Sequence, residues 1–262
     1  MEFFQFAFIQ RALSAGLLMA ILSSLLGVLV ILRRMTFYSD AISHATLTGI
    51  ALGILWGISP TIGAVAFSLL IGFLVIWFSQ KKVLQADSVI GVLFSGSVAL
   101  GVLLLSRVSG YKVNLINYLF GDILAVSRND LILSAVLFVF VVLLGAVYFR
   151  DLLFVSFSRD LARVRGLKIA WWDYFFALLL SLTIALSIKI VGVILVSALI
   201  IIPATTAKLV SKNVREMVIW SIVFGVVSVF LGLVGSYYWD FPSGPGIVMV
   251  QVVLFALAWM LR

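Results

Sequence analysis

Asp40 and His44 stand four residues apart in the stretch RRMTFYSDAISHATLTGIALG, which runs from Arg33 to Gly53, and His44 is the only histidine in the chain. On a helix, positions i and i+4 lie one turn apart on the same face, so a carboxylate and an imidazole at this spacing can reach one cation. Both donor types suit Zn2+, and the carboxylate also suits Mn2+. The flanking residues are apolar, and an ionisable group at membrane depth costs about 2.5–3.5 kcal/mol on insertion scales. A bound ion, a water-filled path or a mutual hydrogen bond that fixes helix packing would offset that cost. A solvated position at the membrane interface would avoid it. Spacing alone leaves these alternatives open.

Thr48 continues the Asp40–His44 ridge by one more turn. The neighbouring ridge is Ala41, Ala45, Gly49, Gly53 and Gly57, and small residues every fourth position let a second helix approach closely in a bilayer. Among the other polar residues, Asp122 and Asp240 fall near one predicted face and suit either an acidic cation entrance or ordinary turn caps. Lys189, in LSIKIVG, reads as a lysine snorkelling from a tight turn. Pro203 is expected to kink or end its helix, with Thr205 and Thr206 covering the carbonyls it frees. The sequence has no HExxH, and no GxxxxGK[ST]; the string GVLFSGSV from Gly91 lacks the lysine. A P-loop ATPase is therefore excluded, and with no cysteine so are thiolate metal sites.

The elements that must position these residues are membrane helices. The chain has 262 residues, 64% hydrophobic and 11% charged, against about 25% charged in an average soluble domain. Apolar runs near the length of a bilayer crossing fall at roughly 9–32, 40–57, 60–79, 88–106, 131–149, 171–188, 190–210, 216–236 and 244–261. These runs do not alternate, which excludes a β-barrel. The fold class is all-α, a polytopic helical bundle of eight or nine transmembrane segments, the short 40–57 run being the uncertain member. The first run is too long for a signal h-region and reads as a retained span.

The net charge of +8 comes from clusters between the spans: Arg33-Arg34, Lys81-Lys82, Arg150 to Lys168, Lys208 to Arg215, and Arg262. That is the bias of cytoplasmic loops, not a nucleic-acid surface. With every segment crossing, the C-terminus lies in the cytoplasm and the N-terminus outside. Arg107 to Asp130 and Tyr237 to Pro245 are then extracytoplasmic, the first with a short helix at or dipping into the membrane. No linker interrupts the chain, so residues 1–262 read as one membrane domain. Its longest inside loop runs from Arg150 to Asp173, where Ser158 or Asp160 would cap a short helix ending at Gly166. Leu161, Ala162, Val164 and Leu167, ringed by Arg159, Arg163 and Arg165, suit either a partner's groove or an anionic lipid surface.

Four stretches in order resemble the membrane permeases of ATP-binding-cassette importers for zinc, manganese and iron(II). They are the Arg33–Gly53 segment, INYLFGDILAVSRNDL, IKIVGVILVSALIIIPATTA and YYWDFPSGPGIVM, and they cover nearly the whole chain. The resemblance implies a transport subunit, not an enzyme, in a bacterial-type cytoplasmic (inner) membrane. It implies a second permease subunit in a homodimer, two cytoplasmic ABC ATPase subunits that use the ATP, and an extracytoplasmic metal-binding protein. Asp40 and His44 match the family's metal-contacting positions on the translocation path. SRDLARVRGLK, with Ser158, Arg159, Asp160, Leu161, Ala162, Arg163 and Gly166, matches its ATPase-coupling segment at about 150–170, although Ser158-Arg159-Asp160 stands where a general importer motif carries Glu. The YLFG string at 118–121, followed by Asp122, is closer to the zinc branch. Zn2+ is the implied transported substrate, with Mn2+ or Fe2+ as alternatives and no permanently bound cofactor. The rival reading is a proton-coupled secondary transporter working through Asp40 and His44.

Overall fold

Within a bilayer, each backbone N–H and C=O has to find its partner inside its own segment, so long apolar runs close into helices. The computed structural model describes residues 6–81, 85–106, 121 and 123–261. Its helices are α1 (Ala7–Leu32), α2 (Thr36–Leu55), α3 (Pro60–Gln80), α4 (Ala86–Leu105), α5 (Arg128–Phe157), α6 (Arg159–Val164), α7 (Ile169–Val191), α8 (Val193–Val210), α9 (Val214–Trp239) and α10 (Ser243–Met260). A 3-10 turn spans Ile123–Ala125, and the described residues contain no strand. Eight of these helices are long and apolar enough to cross a membrane. Of the long helices only α2 falls outside that set, because Asp40, His44 and its hydroxyl residues lower its hydropathy.

One expected boundary moves well beyond its apolar run. The fifth long helix does not stop at residue 149 but continues to Phe157, since no glycine or proline stands between 149 and 157 and Leu152 and Val155 are buried. Of the two outcomes expected at Pro203, a kink or a helix end, the end does not occur: α8 runs through it to Val210, where the apolar run stops. The threonine hydroxyls donate to Ile201 and Ile202, not to Leu199, whose carbonyl is the one a proline at 203 deprives of a partner.

The chain forms two compact units. The first holds 1–31, 116–143 and 189–262. Within it α8, α9 and α10 pack together, and the Ser221 hydroxyl donates to the Ser24 carbonyl at 3.1 Å. Lys189 is not a free snorkelling lysine; its ammonium pairs with Asp130 at 2.7 Å. The second unit holds 32–115 and 144–188, with α2 packed against α3 and α4.

The α2–α3 crossing is made by glycine. A Cβ on Gly49 would lie 2.9 Å from Ala64 Cα and would collide with the Gly63 carbonyl, while one on Gly63 would strike the Gly49 carbonyl. The small ridge thus works as the spacing predicts, except at its end: Gly57 lies beyond α2 with a φ of +67°, in the left-handed region that closes helix C-termini. Beside the crossing, Thr46 and Ser68 share a hydroxyl hydrogen bond of 2.7 Å.

Candidate functional site

Packing on two sides fixes which way α2 presents its polar stripe. Ala41, Ala45, Thr46, Thr48, Gly49 and Gly53 are buried, whereas Asp40, His44 and Leu47 are half-buried and Phe37 is exposed. Asp40 and His44 therefore share the one open face of an otherwise enclosed helix. They make no side-chain hydrogen bond to each other among the described contacts, so a mutual bond does not hold them. The His44 ring stands edge-on to Phe94 of α4, with centroids 5.0 Å apart and planes at 87°. That contact orients the imidazole; the sequence signal for it was only an aromatic in a neighbouring span.

Thr48 is placed differently from its two ridge-mates. It is buried, and its hydroxyl donates to the Ser97 carbonyl of α4 at 2.6 Å. Among the described residues, no three His, Asp or Glu side chains gather as a metal cage. The open stripe offers two donors, and a bound ion would take its remaining ligands from water or from another chain.

Asp122 lies outside the described residues, as does the YLF part of the string before it. Asp240 follows α9 in the left-handed region at φ +53°. It is exposed and borders a cavity of about 330 Å³ with Phe8, Leu124, Tyr237 and Phe241. Tyr237, Tyr238 and Trp239 beside it are exposed, as suits an interfacial aromatic belt.

The short helix of the loop between α5 and α7 forms as its cap residue dictates. Of the two candidates, Ser158 is the N-cap: its hydroxyl accepts from the Leu161 amide at 3.3 Å. Asp160 instead pairs with Arg163 at 3.1 Å. Gly166, at φ +77°, ends the turn. Ala162 is fully buried, so it anchors the helix inward and does not belong to an outward docking face; Leu161, at 57%, and Val164, at 89%, are the exposed apolar residues.

A buried ion pair that the sequence reading did not single out holds this helix in place. Asp173, near the start of α7, takes Arg33 on one carboxylate oxygen at 2.7 Å and Arg159 on the other at 3.4 Å. The Arg33 and Asp173 side chains are only 4% and 3% exposed. Arg33 also donates to Ser156 at 2.9 Å and lies over the Phe176 ring, 4.3 Å from its centroid. Burial pulls the Arg33 guanidinium below its ordinary pKa, and the Asp173 carboxylate opposes that shift. The available sequence signal was one of the chain's ten acidic residues directly after Trp171-Trp172, at the mouth of a span.

Comparisons with known proteins agree with this architecture. Residues 5–262 match the ABC 3 transport family, and the chain belongs to that family. It is 35% identical over 248 residues to the high-affinity zinc uptake system membrane protein ZnuB of Haemophilus influenzae, covering 94% of this chain and 95% of that one. It is 36% identical over 257 residues to the manganese transport system membrane protein MntC of Halalkalibacterium halodurans, covering 98% and 88%. The solved structure of PsaBC from Streptococcus pneumoniae in complex with Fab superposes with a TM-score of 0.86 at 33% identity, over 97% of this chain and 91% of that one.

Proposed function

We propose that this chain is the membrane permease of an ATP-driven zinc importer and that Asp40 and His44 contact the ion on its path. The coarser reading, a multi-pass permease of a divalent-metal ABC importer and not an enzyme in itself, is supported by family membership and by relatives named for zinc and manganese uptake. The observation that carries the ion site is the open stripe of α2. A carboxylate and the only imidazole stand one turn apart there, half-buried, while the other faces of the helix are taken up by α3 and α4. An ionisable pair so placed needs water or an ion beside it.

Two donors from each chain, completed by water or by a second permease copy, make a site that captures an ion and still releases it, as transport requires. ATP bound and hydrolysed by cytoplasmic ATPase partners would move the segment around Ser158 to Gly166 and expose the site alternately to either side. An extracytoplasmic binding protein would deliver the ion, with Asp122 and Asp240 as an acidic entrance. The whole chain acts as one permease domain with its C-terminus in the cytoplasm. Zinc is favoured over manganese by the imidazole donor and by the YLFG resemblance, while relatives named for zinc and for manganese stand at similar identity.

The test is a double substitution, Asp40→Asn with His44→Gln, in the permease assembled with its ATPase. We expect assembly to persist and ATP-dependent zinc uptake to be lost. Unchanged uptake by a folded, assembled variant would remove these two residues from the path.

A further inference from the structure

The geometry points to Asp173 as a positioning residue that ties the ATPase-facing helix α6 to the start of the ion-contacting helix α2, so that movement of one is passed to the other. This rests on the transport function proposed above. One buried carboxylate serves two arginines, each through its own oxygen: Arg159 belongs to α6, and Arg33 lies three residues before α2. The far side of the link is also fixed. Arg33 is gripped by Ser156 at the end of α5 and by the face of Phe176. Phe176 in turn stands 6.4 Å, centroid to centroid, from Tyr38 in the first turn of α2, and Tyr38 is fully buried. Asp40 and His44 follow two and six residues further along α2.

Stability alone does not account for this cluster. A buried ion pair is weak evidence of stabilisation, since an apolar pair of similar size often does as well. The Arg33 Nη2 atom is buried without a hydrogen-bond partner among the described residues, so the desolvation of this guanidinium is only partly offset. What the charges supply is connection: a short, directional, two-armed bridge between surface helix and span. Arg159 is 60% exposed while its partner is 3% exposed, which places one end of the bridge at the moving surface and the other in the packed interior.

The test uses the full complex with its ATPase and binding protein in proteoliposomes, with zinc uptake and ATP hydrolysis measured together. Asp173→Asn keeps the volume and removes the charge. Arg33→Met with Asp173→Leu removes both charges, so neither is left buried and unpaired should the single variant fail to fold. We expect assembled variants to keep hydrolysing ATP while ions imported per ATP fall at least about fivefold, the lower end of coupling between linked sites. Wild-type stoichiometry in either folded variant would overturn the proposal, including the case in which Asp173→Asn fails and the double variant folds and transports normally.

A second readout does not depend on the metal. The chain has no cysteine, so spin labels at Phe37→Cys and Val164→Cys, both exposed, report on α2 and α6 alone. In an otherwise unchanged chain we expect the label distance to hold steady on ATP addition, because the two helices move together, and to change in the double variant. If the unsubstituted complex imports no zinc yet shows this contrast, the zinc reading fails and the link stands. Equal responses in both proteins would refute the link.

Discussion

Gly49 can be replaced by alanine in a chain that carries its own control. The added methyl would meet Ala64 Cα at 2.9 Å and collide with the Gly63 carbonyl. Ordinary carbon contacts begin at about 3.5 Å, and the obstruction is backbone, so α2 and α3 must move apart. Forcing an extra methyl into close packing typically costs about 1–3 kcal/mol. For a chain of this size that corresponds to about 2–12 °C in Tm, at roughly 2–4 °C per kcal/mol. Gly91 and Gly96 of α4 have open space where a Cβ would go, so alanine there should be neutral or stabilising by up to about 1 kcal/mol through helix propensity. Thermal unfolding of the purified protein in detergent, followed by tryptophan fluorescence, reads all three. The displaced α2 carries Asp40 and His44, so Gly49→Ala should also weaken zinc binding, measured by equilibrium dialysis. A Gly49→Ala protein as stable as Gly91→Ala would refute the close crossing and the role given to the small ridge.

Replacing Ser158 by alanine removes the α6 cap and should cost about 1 kcal/mol, seen as faster amide exchange confined to 159–164. Thr48→Val deletes the bond to the Ser97 carbonyl; such bonds average about 0.6 kcal/mol in membrane proteins, so Tm should fall slightly while zinc affinity stays unchanged. A loss of affinity would instead return Thr48 to the ion path. Lys189→Met breaks a pair whose lysine is exposed, and exposed pairs contribute about 0–1 kcal/mol; thermal unfolding should shift little.

Much of this fold is written in hydropathy. The limits of α1, α3, α4, α9 and α10 fall within a few residues of the apolar runs, because the bilayer sets their length. The less apolar α2 was harder to place, since its polarity is accommodated by neighbours: Thr46 bonds to Ser68 and Thr48 to Ser97, contacts that no local pattern encodes. The Asp40–His44 pair was legible because charge is rare in such a chain and i,i+4 spacing has one geometric meaning. That Thr48 turns away from their stripe was not, because which flank of a ridge is buried depends on where α4 lies. Ser158 was one of two equally good caps by type, and Asp160 lost to it by pairing with Arg163. Asp173 was invisible as a link because Arg33 is 140 residues distant.

Isotopic zinc uptake into proteoliposomes containing this chain, its ATPase and its binding protein, with and without ATP and with excess manganese as competitor, is the most direct measurement. ATP-dependent zinc uptake that resists manganese is the predicted result. Uptake indifferent to ATP, or displaced efficiently by manganese, would contradict it.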